Sequence, residues 1–399
     1  MDEILVNATT ARLQHEPAVA PFIGTHFMVT WTDTSDATIK CQLFSNGGDR
    51  TFGEVVVNKP TPPQANTKRG MPAIAACGGG LAVAWIESAF NPPGPRPHVK
   101  GQRFDRDGRK IGPEFQVSTT EIDPKQAPAV AGLIDGGFVV TWADARQDRR
   151  IRAQRFQEDG SKNGADFAVN TTDGFHENPI VIPLAGDGRV QGNFVVAWRA
   201  DPSPAGGGDL VLRVLEADGT PVTGEIPAQL DRFAGEKAMT FLDGGRFVVA
   251  WVSHQGQSDI GEEKSVVKAR IFEGDGTRTD LIFFATTAEG EITSRYPAAA
   301  PLPGGRFVLS WAQKRADTVA TNHVVRAKVF SEIGSSVGNA IQVNTSVPGD
   351  RFEVCAATAF GDGEVAFVAW ADDSKSGGDA SDFAVKARPL PVIASGGFA

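Results

Sequence analysis

Three cysteines, one tyrosine, four methionines and six histidines are all that this chain of 399 residues holds of those types, and the shortages exclude whole classes of protein. Cys41, Cys77 and Cys355 are odd in number and far apart, so no disulfide scaffold is expected and each reads as a small core residue. His15, His26, His98, His176, His254 and His323 form no His-x-x-x-His pattern, and no Cys-x-x-Cys occurs; neither a metal site nor a cofactor is predicted. Basic residues are the minority, 39 Lys plus Arg against 48 Asp plus Glu for a net charge of -9, with no basic tract. Nucleic acid and acidic membranes are therefore not expected as partners. No apolar run approaches the roughly 20 residues of a spanning helix, which argues against membrane insertion. The opening MDEILVNATT has neither a basic nor an apolar signal region, so no Sec-type signal peptide is expected in this sequence.

What the chain does have is a repeat built on tryptophan. Trp31, Trp85, Trp142, Trp198, Trp251, Trp311 and Trp370 follow one another at 54, 57, 56, 53, 60 and 59 residues. Around each lies a variant of Asp135–Asp144, DGGFVVTWAD, so the chain divides into seven units. Phe27, Leu81, Phe138, Phe194, Phe247, Phe307 and Ala366 stand four residues before the indoles, and Val29, Val83, Val140, Val196, Val249, Leu309 and Val368 stand two before. A period of two puts all three on one face of a strand. The residue just before each Trp is Thr, Ala or Ser, and the intervening residues are uncharged. Both faces are thus expected to be buried, as in a sheet packed between sheets.

Each unit reads as four strands. The first is PAVAPF, PAIAAC, PAVAGL, PIVIPL, AMTFLD, PAAAPL or VCAATAF; a glycine-rich turn leads into the Trp strand; a variable loop leads to a third strand such as IRAQRF or VKARIF; and an Asp-Gly turn leads to the fourth. The seventh unit stops after its third strand, Val385–Leu390. At the other end EILVN, Glu3–Asn7, matches the fourth strands EVVVN and DFAVN. The opening strand is therefore expected to complete the last unit and close a ring.

At this point a resemblance is specific. The text GGFVVTW…RIRAQRFQEDG…FAVNTT resembles the repeats of seven-bladed β-propellers in large bacterial surface proteins, and similar propellers include carbohydrate-binding lectins. The resemblance implies an all-β fold of seven four-stranded antiparallel blades spanning residues 1–399 as one domain, and a secreted or cell-surface location. The Ser-x-Asp-x-Gly-x-Thr-Trp boxes of sialidase-type propellers and the Gly-His…Trp-Asp pattern of the WD40 kind are absent.

Several constellations carry chemistry. Asp33, Glu87, Asp144 and Asp372 stand two residues after a Trp, while Lys40, Lys100, Arg152 and Lys386 hold the second place of the third strand; repeated acid–base pairs read as structural ion pairs at a blade end, although a repeated ligand pocket would show the same period. Asp105-x-Asp107-Gly108 reads as a hairpin turn and not a calcium loop. Gly334–Gly338 matches a nucleophile-elbow pattern without the following helix, which argues against a catalytic Ser336. Asn7, Asn170 and Asn344 head Asn-x-Ser/Thr sequons at one repeat position.

Loops after the Trp strand vary most, and with the loops before the first strand they form one end of the unit, where function is expected. The pairs preceding the first strand include His15-Glu16, Gln126-Ala127, Glu177-Asn178, Arg295-Tyr296 and Arg351-Phe352. Arg295-Tyr296 and Arg351-Phe352 read as equivalent cation–aromatic pairs able to fork onto a carboxylate or sugar hydroxyls. Together with His15, Gln126, His176 and Glu177 they are the candidate ligand-binding residues. The expected activity is non-enzymatic binding of a glycan, with a protein-binding scaffold as alternative; a lyase or hydrolase would gather His176, Glu177, Arg295 and Arg351 at the mouth of the channel. If sugar binds, Phe90, Phe175, Phe233, Phe352 or Tyr296 must supply the aromatic face.

Overall fold

The computed structural model of the chain describes all residues except 9–12, 23, 60–66, 92–93, 123–124, 145–148, 185–191, 202–207, 230–232, 258–262, 287–291, 316–322, 346–350, 361–363, 374, 376–382, 393–396 and 399, and describes only the backbone of 89–91, 94–96, 233–234, 292, 315, 351–353, 355–360 and 364. Its strands form five four-stranded sheets and one eight-stranded sheet. The second unit sets the pattern, with an inner strand Thr67–Cys77, a Trp strand Gly80–Asn91, a third strand Gly94–Phe104 and an outer strand Lys110–Gln116, each antiparallel to the next. The eight-stranded sheet is the fifth and sixth units, joined by one parallel bridge, Ser265 to Thr293. Among the described residues the helical content is a single 3-10 turn, Asp243–Gly245.

In the seventh unit the fourth position is taken by the start of the chain. Ile4 pairs with Ala387 and Leu5 with Lys386, antiparallel to Ala384–Val392, and the Val6 N–H continues the ladder to Val385 O at 2.8 Å.

The Trp strands are buried on both faces because every second residue is large and the alternate ones are small. His26–Asp33 is buried from Phe27 onward, and Phe138–Ala143 is buried throughout. Each indole leaves its own sheet and packs on the preceding unit. Trp85 meets Phe22, Met28 and Leu43 of the first unit, Trp198 meets Val139 and Ala153 of the third, and Trp31 meets Val365, Phe367 and Ala369 of the seventh. Six of the seven are fully covered and Trp311 is 2 % exposed; losing one such side chain costs about 3–5 kcal/mol.

One polar contact repeats with the same regularity. At the head of each third strand a buried side chain of the outer strand's end accepts the backbone N–H: Asn58 from Ile39 at 2.8 Å, Ser118 from Val99 at 3.0 Å, Asn170 from Ile151 at 2.8 Å, Gln229 from Leu210 at 2.6 Å, Thr286 from Val267 at 3.2 Å and Asn344 from Val325 at 2.8 Å. Asn7 does the same for Val385 at 2.9 Å, although 378 residues separate them. The three sequon asparagines are therefore buried acceptors of the ladder, and their side chains leave no room for a glycan on Nδ2.

Candidate functional site

Six of the seven inner strands begin irregularly. Pairing with the Trp strand slips between His15 and Ala18, Gly70 and Ala73, Glu177 and Ile180, Phe233 and Lys237, Arg295 and Ala298, and Phe352 and Cys355. These are β-bulges at one repeated place, where a strand is bent and a side chain re-aimed. At four of them a non-glycine residue stands at positive φ: Glu16 at 57°, Met71 at 55°, Asn178 at 52° and Tyr296 at 53°. Each precedes a proline, Pro17, Pro72, Pro179 or Pro297, which ordinarily drives its neighbour toward extended backbone. Strain of about 1–3 kcal/mol at each such residue has to be held by the surroundings.

The preceding unit holds it. Glu16 accepts the Met71 N–H at 2.6 Å, Gln126 accepts the Asn178 N–H at 2.9 Å, and Glu236 accepts the Tyr296 N–H at 2.6 Å. The clamping side chains are themselves fixed. Glu16 accepts from the Thr32 hydroxyl at 2.6 Å, Gln126 donates to Glu177 at 3.2 Å, and Glu236 receives Arg295 through Nε at 2.8 Å and Nη2 at 2.7 Å.

The bulges surround a cavity of about 520 Å³ with Glu16, Met71, Lys125, Asn178, Lys237 and Tyr296 on its wall, and every unit contributes to it, down to Val354 of the seventh. Further along the same strands Val19, Ile74, Val130, Val181, Met239 and Ala299 line a second, apolar space of about 320 Å³. A polar mouth thus opens above an apolar shaft. Within the mouth, burial pushes the Glu236 carboxyl above its usual range despite Arg295. Burial pushes the Lys237 ammonium down to about 7, with Glu177 opposing the shift and Arg199 adding to it. Glu177 in turn holds Arg199 at 2.7 Å. A half-neutral amine, a carboxyl that keeps its proton more readily than usual and a tyrosine face can bind polar ligands or move protons.

Of the residues singled out from the sequence, Tyr296 lines the mouth, and Gln126, Glu177 and Arg295 stand directly behind lining residues. The Arg295 guanidinium also lies 5.5 Å from the Tyr296 ring centre. His15 is beside the site, its Nδ1 3.6 Å from Glu16. His176 is turned into its sheet, where Nδ1 accepts the Trp198 indole N–H at 3.1 Å and Nε2 faces the Thr172 carbonyl at 2.9 Å. Burial depresses its pKa, so the neutral ring is a structural link that no sequence periodicity marks.

Arg351-Phe352 is not the equivalent of Arg295-Tyr296. Arg295 pairs with Ala312, the residue after Trp311, and the residue pairing with Ala371 after Trp370 is Phe352. The seventh unit is offset by one from the expected alignment because Val354 stands where five other units carry the guiding proline. The side chains of Arg351 and Phe352, like those of Phe90 and Phe233, lie outside the described residues. The Phe175 ring is covered by Arg149 at 3.9 Å.

Lining residues that sequence reasoning passed over are Lys125, Asn178, Glu236 and above all Lys237. The signal was present: Pro17, Pro72, Pro128, Pro179 and Pro297 occupy one repeat position, and Lys237 breaks it.

Of the acid–base pairs flanking the tryptophans, Lys40–Asp33 and Lys386–Asp372 are buried. Lys40 lies 2.7 Å from Asp33, Lys386 lies 3.0 Å from Asp372 and 3.2 Å from Glu3, and Lys100 is 3.9 Å from Glu87. Arg152 donates to Asp166 at 2.8 Å. His98 and His254 have separate partners, Gln116 and Glu263, and among the described residues no group of three His, Cys, Asp or Glu side chains is placed to hold a metal. Asp105 accepts the N–H groups of Asp107 and Arg109, which makes its loop a turn.

No protein-family model matches the chain, and a search of curated proteins returns no match. Solved structures do resemble it. BP39L lectin from Burkholderia pseudomallei aligns over 97% of this chain and 98% of its own, at 13% identity and TM-score 0.58. The fold is β-propeller-like. A protein of unknown function from Dyadobacter fermentans aligns over 98% of both chains at 12% identity and TM-score 0.56. An ulvan lyase of a new polysaccharide lyase family aligns over 97% of this chain and 94% of its own, at 12% identity and TM-score 0.51. At these identities the likeness is one of propeller-like architecture, and sites must be argued from residues.

Proposed function

We propose that residues 1–399 form one seven-bladed propeller closed by its N-terminal strand, and that it binds carbohydrate at the axial mouth without turning it over. Closure is supported by the packing of Trp31 on the last unit and by the bond from Val385 to Asn7. The observation that carries the binding reading is the mouth itself: about 520 Å³ walled by the inner strands, with the Asn178 amide, the Glu16 carboxylate and the Tyr296 ring at strained bulges and lysines beside them. That size falls within the range of small-ligand sites, which join an apolar lining to a few fixed polar groups. A sugar presents both kinds of surface, and Tyr296 supplies the stacking face that the seven buried tryptophans leave to it. The named lectin and lyase among the similar structures agree with a saccharide ligand. Glycan-array screening followed by calorimetry tests it: Tyr296→Ala and Glu16→Gln are each expected to weaken binding at least about tenfold. Absence of any glycan binding by the folded protein would remove the proposal.

One observation favours a second reading. Glu236 with a raised pKa and Lys237 with a depressed one are adjacent in the mouth, and titratable groups both drawn toward neutrality in this way can serve as acid and base of a lyase or hydrolase. Release of unsaturated or reducing ends from a bound polysaccharide, lost in Lys237→Met, would establish that reading over simple binding.

A further inference from the structure

Lys237 belongs to no structural requirement of the repeat. In five units the same position is proline, which stiffens the start of the inner strand, and Lys237 pairs across the ladder with Trp251 as ordinary strand backbone. Its side chain stands in the wall of the mouth together with Lys125. Among the described residues the charged groups around it are Glu236 on its own strand, Glu177 and Arg199 on the preceding unit, Arg295 on the following one, and Glu16 and Lys125 on the same wall. All three carboxylates take donors from the protein: Glu16 from Met71 and Thr32, Glu177 from Arg199 and Gln126, Glu236 from Arg295 and Tyr296. They hold the bulges in place, and ligand binding cannot call on them without loosening the wall.

Resting on the carbohydrate reading of this mouth, we infer that the saccharide it takes is acidic, its carboxylate or sulfate seated against the Lys237 ammonium. A cation moved out of water into such a wall is stabilised most by an incoming anion, whereas sugar hydroxyls offer only dipoles. The weakly held proton of Lys237 fits this state of the empty mouth, since burial brings its pKa down to about 7. An anion favours the charged amine, so binding must draw a proton from solution wherever the free amine is partly neutral, and affinity must fall as pH rises above that value.

The test is calorimetry on the intact chain in two buffers of different ionisation enthalpy, at about pH 6 and about pH 8. The probes are a glucuronic-acid disaccharide, its methyl ester and a sulfated disaccharide. The acid is expected to bind at least about tenfold tighter than the ester, with proton uptake at the higher pH. Lys237→Met should abolish both the preference and the uptake. Lys237→Arg should keep the preference without the uptake, because its guanidinium stays charged. Equal binding of sulfated and carboxylated probes supports recognition of charge, and binding of only one of them identifies which group is seated. Acid and ester binding alike would overturn the inference while leaving the carbohydrate reading intact, and so would an unchanged preference in Lys237→Met. If no probe binds the folded protein, both fall.

Discussion

Asp33, fully buried, and Lys237, half-buried, are charges of opposite design. Burial alone would raise the Asp33 carboxyl, but hydrogen bonds from Lys40 and Ser35 outweigh it and hold the group below its usual range. Its stabilisation is present above the unfolded carboxylate value and is lost as pH falls through the folded one. Lys40 is the mirror case: burial lowers its pKa, Asp33 more than restores it, and the benefit is present at neutral pH and lost only as the pH climbs past the folded value. Lys237 pays a penalty. With its folded pKa at about 7, the unfolded chain binds the extra proton between there and the ordinary lysine range, so its contribution to stability is unfavourable at neutral pH and below and fades as pH rises toward about 10. Lys237→Met is therefore expected to be more stable than the parent at pH 7, by a margin that shrinks as the pH is raised. Urea unfolding midpoints across that range give the difference, and a margin that grew with pH would contradict the burial assigned to the amine. A residue that weakens the fold and lines a cavity is where function is expected to outweigh stability.

At the scale of the strand, two devices locate the chain. The first is the side-chain acceptor at the head of each third strand. Asn58→Ala would leave the Ile39 N–H buried without its acceptor, and a loss of about 1–3 kcal/mol is expected. Hydrogen exchange should show the Ile39 amide losing protection beyond the global change, which a purely packing role for Asn58 would not produce. The second device is the bulge. The Trp strands were readable from sequence because burial on both faces is written into consecutive residues, Phe27 to Trp31 being one instance. The bulges were not, because the positive φ of Glu16, Met71, Asn178 and Tyr296 is imposed by partners 52 to 60 residues away in the three clamped cases and not by a local glycine. The missing proline at Val354 misplaced the Arg351-Phe352 alignment by one residue, and a partner 22 residues away made His176 look available when Trp198 occupies it. Lys237 was visible as a departure from proline, but its meaning depends on a cavity that no single unit contains.

Across the whole molecule the critical joint is the one between the chain's two ends. Residues 1–7 contribute Val6, fully buried between the seventh and first units, the Asn7 acceptor for Val385, and the Glu3 carboxylate 3.2 Å from the buried Lys386. The same segment offers its Leu5 carbonyl to Arg50 of the first unit at 2.9 Å, so it ties both neighbours at once. Deleting residues 1–7 should leave the other six units with their four strands but remove the outer strand of the seventh. In an open array each unit leans only on its neighbours, and loss at one end frays that end first. The expected outcome is a lower urea midpoint, with exchange protection lost over Glu364–Asp372 and Ala384–Val392 ahead of the rest. Because the mouth takes part of its wall from Val354 of that unit, ligand affinity should fall together with this local protection. Asn58→Ala should retain affinity at the same temperature, since Asn58 is no part of the wall. Unchanged stability and unchanged exchange in the shortened chain would mean that residues 1–7 do not tie the seventh unit to the first, and the mouth would then need another explanation for its shape.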